Sequence, residues 1–336
     1  MTRHHYVPQM YLRRFADSDK RLVLVDRDDL SRAEVTTAKH ALNLDDFYGW
    51  HTGLGPEDVD DPAVLDAEHI EKLLGVFESR AQGAFDRLVE SGRPPRTAKD
   101  KYNLSNFIAL QAARGQRFRD DQSQLATFLM RKHMRAETRP EQVRQWLAER
   151  GDPHEPDDVA AFIDSAYGPD GPRLVPDQAL AIQNALRFAV QQVLPSLWER
   201  SWLVLTFDEP CLLTSDEPIV AFDPGGEPVT ALTAPLLFMA VGRRHLLVLR
   251  QPSDTEVRAQ AVTDASGRGN SEQAKRFNAL VATQAERHVV HHPDDAALVA
   301  DLMIGPRTRW GEEIVELIED GDSVTVRSRL RRLPVE

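Results

Sequence analysis

The hydrophobic pattern changes near residue 200, and this change constrains the fold more than any other feature of the chain. Before it, apolar residues recur every three or four positions, which is typical of amphipathic helices. After it, short runs rich in leucine and valine, such as SWLVLTFD and HLLVLR, are separated by turn sequences such as DPGGEP. The pattern predicts an α+β fold in which a helical first half packs on a mainly antiparallel β second half.

Individual elements follow from the same periodicity. Helices are predicted over residues 66–89, 97–119, 121–135 and 270–286, and another begins near Pro176, with Pro195 expected to end or bend it. The sequence RLVLVDR from Arg21 predicts a strand. The sequence EEIVELIEDGDSVTVRSR predicts a hairpin that turns near Asp320 and Gly321.

The length of 336 residues allows one large domain or two intimate ones, and no long linker rich in glycine, serine or proline divides the chain. We therefore expect a single domain over 1–336, with a helical part (1–200) and a β-rich part (201–336). Two short predicted helices between glycine- and proline-containing turns mark 137–176 as a surface insertion or lobe.

Composition narrows the function classes. The formal net charge of −12 disfavours nucleic acid as a partner, since its capture relies on lysine and arginine neutralising phosphates. The longest apolar runs, such as APLLFMAVG from Ala234, are shorter than the ~20 residues of a membrane helix. With one cysteine, Cys211, the chain forms no internal disulfide or thiolate cluster. These features predict a cytoplasmic protein that does not enter a membrane.

The segment RHHYVPQMYLRR, residues 3–14, mixes polar groups with apolar ones. In an extended or irregular segment, His5 and Gln9 can both project inward while their apolar neighbours pack and Pro8 restricts the backbone. The alternative is a surface histidine pair with one apolar anchor.

Two predicted helices carry polar side chains next to apolar surface. Gln111 and Arg114 are three residues apart and share one helix face. The forked donors of Arg114 suit carboxylate and phosphate groups, so this arginine either pairs with a buried carboxylate or binds an anionic substrate. Glu78 lies between Leu74 and Ala81, where a carboxylate must be hydrogen bonded, ion paired or metal bound.

The sequence LLTSDEP, from Leu212 to Pro218, places a hydroxyl and a carboxylate at the end of a predicted strand. Asp216 could orient a histidine, bind a metal or pair with Arg114, whereas Ser215 and Asp216 could also form only a side-chain turn. Ser215 does not lie in a G-x-S-x-G elbow, and the chain has no dinucleotide or Walker phosphate loop.

Several of these motifs together resemble the family known as domain of unknown function 4238. They are HHYVPQMYLRRF, the DDFY segment ending at Tyr48, the helix around Glu78, FIALQAARGQRFR, LLTSDEP, and RFNALVATQAERHVV with Asn278. The resemblance covers most of the chain, although TALTAPLLF lacks the serine of the family's Pro-Leu-Ser-Pro-like element. No reaction comes with the resemblance, which implies instead that these polar residues, Asn278 included, belong to the site.

We interpret the protein as a hydrolase acting on an anionic phosphate-containing substrate, either a nucleotide or a nucleic acid, of which the net charge disfavours the second. His5 would be the general acid or base, supported by Asp216 and Ser215, because an imidazole pKa near ~6.5 suits neutral pH. Gln9, Gln111, Arg114 and Asn278 would bind the substrate. A divalent metal held by His5, Glu78 and Asp216 is a further hypothesis, and the alternative is a ligand-binding or sensor protein, for instance in bacterial phage defence or a stress response.

Overall fold

The computed structural model describes residues 3–49, 67–168, 171–259, 262–300, 302–320 and 323–334, without the side chains of 311–331. It divides into two compact units. The first comprises residues 1–119, 177–307 and 334–336, and the second comprises 120–176 and 308–333. The α+β class is confirmed, with helices mostly in the first half and antiparallel-rich sheets later.

The strands within the described ranges form four sheets. The described strands are β1 (Arg3–His5), β2 (Arg21–Asp26), β3 (Ala33–Thr37), β4 (Asn43–Asp45), β5 (Ser201–Thr206), β6 (Thr214–Ser215), β7 (Val220–Phe222), β8 (Leu236–Gly242), β9 (His245–Arg250), β10 (Ala265–Arg268), β11 (His288–His291), β12 (Thr308–Asp320) and β13 (Ser323–Pro334). One sheet has the order β10-β5-β9-β8-β7 and another the order β3-β2-β11-β6, while β1-β4 and β12-β13 form two-stranded pairs. Strand β10 pairs with β5 in parallel, whereas β1 with β4 and the other pairings of the two larger sheets are antiparallel.

The helices are α1 (Gln9–Leu12), α2 (Ala67–Ser91), α3 (Ala98–Arg114), α4 (Gln116–Glu137), α5 (Pro140–Arg150), α6 (Pro156–Tyr167), α7 (Gln178–Phe188), α8 (Leu194–Glu199), α9 (Asp254–Arg258), α10 (Ser271–Gln284) and α11 (Ala297–Ala300). No helix within the described ranges is long and apolar enough to cross a membrane.

Helix α3 lies at the centre of the first unit. The Thr97 side chain caps it by accepting a hydrogen bond from the Asp100 backbone N–H at 3.1 Å. From Asn103 to Gln111 every side chain is buried, and Phe107 meets Phe85 of α2 edge to face at 4.9 Å between ring centres. Polar groups near the end of α3 are therefore held in a densely packed environment.

The first helix boundary differs from the prediction. The sequence predicted that the second helix would run to Arg119, but α3 ends at Arg114 and α4 begins at Gln116. Gly115 separates them, and a Cβ atom at this position would overlap the Glu217 carboxylate. The close approach of a distant side chain, and not local helix propensity, sets this boundary.

Of the two effects predicted for Pro195, an end of the helix is not seen, because the helical path continues beyond it. A π-helical turn, Ala189–Val193, joins α7 to α8, which contains Pro195 and continues to Glu199. Pro195 lies in the first turn of α8, where the missing backbone N–H leaves no intrahelical bond unmade.

A side-chain amide closes one edge of the five-stranded sheet. At edge strand β7, the backbone N–H of Ala221 donates to Gln284 Oε1 at 3.1 Å, and Gln284 Nε2 donates to the Ala221 carbonyl at 2.7 Å. The last residue of α10 thus satisfies both backbone groups of the middle residue of β7.

The second unit contains most of α4, together with α5, α6, β12 and β13. Ser123 and Arg131 of α4 donate to the carbonyls of Leu174 and Pro172 at 2.7 and 2.9 Å. The predicted C-terminal hairpin corresponds to β12 and β13, but Gly321 of its predicted turn lies outside the described residues. The segment 137–176 belongs to this unit.

Candidate functional site

The His5 imidazole is held by a backbone carbonyl. Strand β1 pairs with β4, which places His5 opposite Asn43. His5 Nε2 lies 3.0 Å from the Lys39 carbonyl oxygen, and since a carbonyl only accepts, Nε2 carries the hydrogen. Nδ1 of neutral His5 is then the proton acceptor, and no described residue is recorded as donating to it.

Tyr48, the last residue of the DDFY segment, forms hydrogen bonds to both His4 and His5. Its hydroxyl donates to the His5 carbonyl at 3.0 Å, and its backbone N–H donates to His4 Nδ1 at 3.3 Å. The His4 and Tyr48 rings pack with their centres 4.9 Å apart. Burial raises the pKa of Tyr48 to about 12, so its hydroxyl stays a donor at neutral pH.

Arg114 connects the N-terminal segment to α3 and α2. Its Nε donates to the Tyr6 carbonyl at 3.0 Å and to Gln111 Oε1 at 3.1 Å, while Gln111 Nε2 donates to the same Tyr6 carbonyl at 3.0 Å. Arg114 Nη1 pairs with Glu78 Oε1 at 2.9 Å. The predicted shared face of Gln111 and Arg114 is thus used to hold the backbone of Tyr6.

One hydrogen-bond donor of Arg114 has no acceptor among the described residues. Arg114 is 2% exposed, and its Nη2 is buried without a hydrogen-bond partner in the described part of the chain. A buried charged donor without a partner costs more than the ~1–3 kcal/mol of a neutral one. Such an orphan is a reasonable mark of a place where a ligand oxygen completes the hydrogen bonding.

Charges around His5 act on its pKa in opposite directions. Burial lowers the pKa of His5 most, and the Arg114 charge lowers it further, whereas the Lys39 hydrogen bond and the Glu78 charge raise it. The net direction is downward, so His5 is mainly neutral at pH 7. This is the protonation state that a general base requires.

Three of the predicted site residues, Glu78, Gln111 and Arg114, are joined by hydrogen bonds, and the last two hold the carbonyl of Tyr6, the residue after His5. We call these three residues together with His5 the His5 cluster. Gln9 is half-buried at the start of α1, where its side chain accepts a long hydrogen bond of 3.3 Å from Arg13. No described hydrogen bond joins Gln9 to the His5 cluster.

Asp216 has other partners than the His5 cluster. Its carboxylate accepts from the backbone N–H groups of Glu286, Arg287 and His288 at 2.9, 2.6 and 2.9 Å. Burial raises the pKa of Asp216 to about 6 in spite of these three donors. The nearest histidine, His288, has its Nδ1 at 4.0 Å from Asp216, so Asp216 fixes the start of β11 and is not seen to orient His5.

Ser215 and Asn278 also bond to backbone. The Ser215 hydroxyl donates to the Glu217 carbonyl at 3.0 Å and accepts from the Glu217 N–H at 3.1 Å, which is the side-chain turn considered as the alternative. Asn278 accepts from the Leu213 N–H at 3.0 Å and donates to the Cys211 carbonyl at 2.9 Å. Both residues shape the strand that leads into the TSD motif.

Glu217 is a residue that the sequence reasoning missed. It is buried, its Oε1 accepts from the Arg117 backbone N–H at 3.0 Å, and burial together with the Asp216 charge raises its pKa to about 8. The sequence contained a signal for a buried acid here. Two consecutive acidic residues follow the apolar LLTS run, and because side chains alternate between the faces of a strand, both cannot lie on its exposed face.

The proposed metal ligands are not gathered in one place. In the ranges that the structure describes, no group of three or more histidine, cysteine, aspartate or glutamate side chains is arranged to hold a metal ion. Glu78 is paired with Arg114, and Asp216 bonds to the backbone amides of 286–288.

The fold and this geometry define an α+β protein whose N-terminal segment is bound to a buried central helix through an arginine and a glutamine. The chain belongs to the family described as Protein of unknown function (DUF4238), whose model matches residues 3–295. The family resemblance expected from the motifs is therefore confirmed. No curated protein and no solved structure matches the chain.

Proposed function

We propose that the protein is a hydrolase of a small phosphate-containing anion, with His5 as general base and Arg114 as the anion-binding group. The observation that carries the proposal is the fixed His5 tautomer, with Nε2 bound to the Lys39 carbonyl and Nδ1 available, one residue before Tyr6, whose carbonyl is held by Arg114. A fixed backbone orienter and a neutral imidazole are what general base catalysis needs.

The substrate class follows from Arg114. Its orphan Nη2 offers a charged hydrogen bond to a phosphate oxygen, and the guanidinium is already positioned by Tyr6, Gln111 and Glu78. Because Glu78 neutralises part of the arginine charge, we expect a small anion such as a nucleotide in preference to a polyanion. The net charge of −12 supports the same preference.

In the proposed reaction, His5 Nδ1 takes a proton from water as the water oxygen bonds to phosphorus. The bond from phosphorus to the leaving oxygen breaks, and the His5 imidazolium gives its proton to that oxygen. The products are a free hydroxyl compound and a phosphate. The proposal assigns Asp216, Ser215 and Asn278 to the support of the fold, since their side chains bond to backbone groups.

The test measures phosphate release from a panel of nucleoside mono-, di- and triphosphates by the wild type, His5→Ala and the control His133→Ala, which removes an exposed histidine of the second unit. We expect a loss of about 10²–10⁴-fold for His5→Ala and none for His133→Ala. The rate of the wild type should rise with pH below neutrality and level off by about pH 7, because burial lowers the pKa of His5.

A specific observation favours the second candidate, a ligand-binding or sensor protein: Arg114 is almost fully buried and three of its hydrogen bonds are internal. If a nucleotide binds to the wild type and this binding weakens in Arg114→Gln, but no panel member is turned over, the binding function replaces the hydrolase. If the panel is neither bound nor hydrolysed, both proposals are wrong. The cytoplasmic location stays a prediction.

A further inference from the structure

An apolar cavity of about 450 Å³ lies between the five-stranded sheet and α10. The sheet contributes Leu205, Phe222, Phe238 and Leu246, one from each of four strands, and α10 contributes Phe277 and Leu280 among others. No residue of the His5 cluster lines it. The volume falls within the range of ~300–1,000 Å³ that is usual for small-molecule sites.

The register of the sheet explains why this space is apolar. In β5, Trp202 and Val204 are fully buried on one face, whereas Leu203 and Leu205 on the other face are half-buried. Leu205 pairs with Leu246, and Phe238 pairs with Val248, so their side chains share that second face. A helix is about 10–12 Å across, so α10 covers only part of a sheet of five strands.

The polar groups of the lining are already bonded within α10 or next to it. Gln273 Oε1 accepts from the Asn270 N–H at 3.0 Å, and Thr283 Oγ1 accepts from the Gly305 N–H at 2.9 Å. The walls therefore offer few hydrogen bonds to a sugar or a base. Arg276, the charged residue of the described lining, is 78% exposed and pairs with the exposed Glu272.

We propose that this cavity binds the hydrocarbon chain of a medium-chain fatty carboxylate, with the carboxylate paired to Arg276. An apolar cavity holds water poorly and gains free energy when apolar atoms fill it. The competing pair of Arg276 and Glu272 is exposed and contributes little, so a ligand carboxylate can replace Glu272. A cationic ligand of the same chain length would be repelled by Arg276.

The test is calorimetric titration of the full chain with decanoate below its micelle concentration, alongside butyrate and decyltrimethylammonium. We expect saturable binding of one decanoate per chain, at least tenfold weaker binding of butyrate, and binding of the cation that is at least threefold weaker than that of decanoate. Ala279→Phe fills the cavity from α10 and should weaken decanoate binding at least tenfold.

Charge variants test the head group. Arg276→Gln should weaken decanoate binding about three- to tenfold, and Glu272→Gln should strengthen it, since a competing and repelling carboxylate is removed. Lys275→Gln is the matched control, because Lys275 is an exposed neighbour that does not line the cavity, and should leave the affinity unchanged.

The inference is overturned if the wild type shows no saturable decanoate binding, or if correctly folded Ala279→Phe binds decanoate as the wild type does. Equal binding of the cation, or no effect of Arg276→Gln, overturns the carboxylate assignment. His5→Ala should bind decanoate normally, so that failure here and failure of the proposed hydrolase remain distinguishable.

Discussion

Replacing Glu217 with glutamine should stabilise the protein at alkaline pH and leave its stability nearly unchanged at about pH 5. Glu217 is buried, and burial together with the Asp216 charge raises its pKa from 4.5 to about 8. In the unfolded chain the carboxyl ionises near its ordinary value, so unfolding releases a proton between these two pH values. The stability that the neutral carboxyl contributes below pH 4.5 is therefore lost as the pH rises to about 8.

The magnitude follows from the two pKa values. At 1.36 kcal/mol per pH unit, the rise from 4.5 to about 8 sets an upper limit of ~5 kcal/mol on this loss. Glutamine never ionises, and its Oε1 can still accept from the Arg117 N–H while its amide replaces the hydroxyl of the neutral acid. Since the protein can relax around the ionised carboxylate, the gain is smaller than this limit, and we expect ~2 kcal/mol or more at about pH 8.5.

The assay is equilibrium urea unfolding of the wild type and Glu217→Gln at about pH 5, 7 and 8.5, followed by tryptophan fluorescence, to which the buried Trp202 contributes. Glu209→Gln serves as a control, because Glu209 is an exposed acid in the same unit. A difference in unfolding free energy between Glu217→Gln and the wild type that stays constant from pH 5 to 8.5 would refute the reasoning.

Three further outcomes are expected. Gly115→Ala should destabilise the protein by ~2 kcal/mol or more, because the added Cβ would overlap the Glu217 carboxylate. Gly75→Ala, which has open space around it in α2, should be neutral or stabilising by up to ~1 kcal/mol. Thermal unfolding of the two variants compares these effects. In a Glu217→Ala background the penalty of Gly115→Ala should largely vanish, and equal penalties in both backgrounds would exclude this contact as the cause. Asn278→Ala should cost ~2–4 kcal/mol in urea unfolding because the Leu213 N–H and the Cys211 carbonyl lose their partner, against less than ~1 kcal/mol for the exposed Asn184→Ala; similar values for both would contradict this role.

The local spacing of apolar residues in the sequence was sufficient to predict much of the fold. The period of the apolar residues predicted α2 and α3, and alternation predicted β2, because burial on one face imposes these periods directly on the sequence. The end of α3 at Gly115 was not predictable in this way, since QRFR continues a helical pattern and the break depends on Glu217, about a hundred residues later.

The candidate site also has features that the sequence could predict and features that it could not. The shared face of Gln111 and Arg114 follows from their spacing of three, and the structure places both on the Tyr6 carbonyl. The partners of Asp216 could not be read from the sequence, because backbone N–H groups carry no residue signature and any segment can supply them. A single sequence does not show which residues, distant from each other along the chain, form contacts in the folded protein.

The pairing of Gln284 with Ala221 has a consequence for self-association. An edge strand with free N–H and C=O groups is a template on which a neighbouring molecule can add its own strand. At β7 that template is occupied by an amide that mimics a peptide group, so growth of the sheet into an intermolecular stack is blocked from this side. The side chain of Gln284 alone therefore protects this edge strand, without an additional strand or loop.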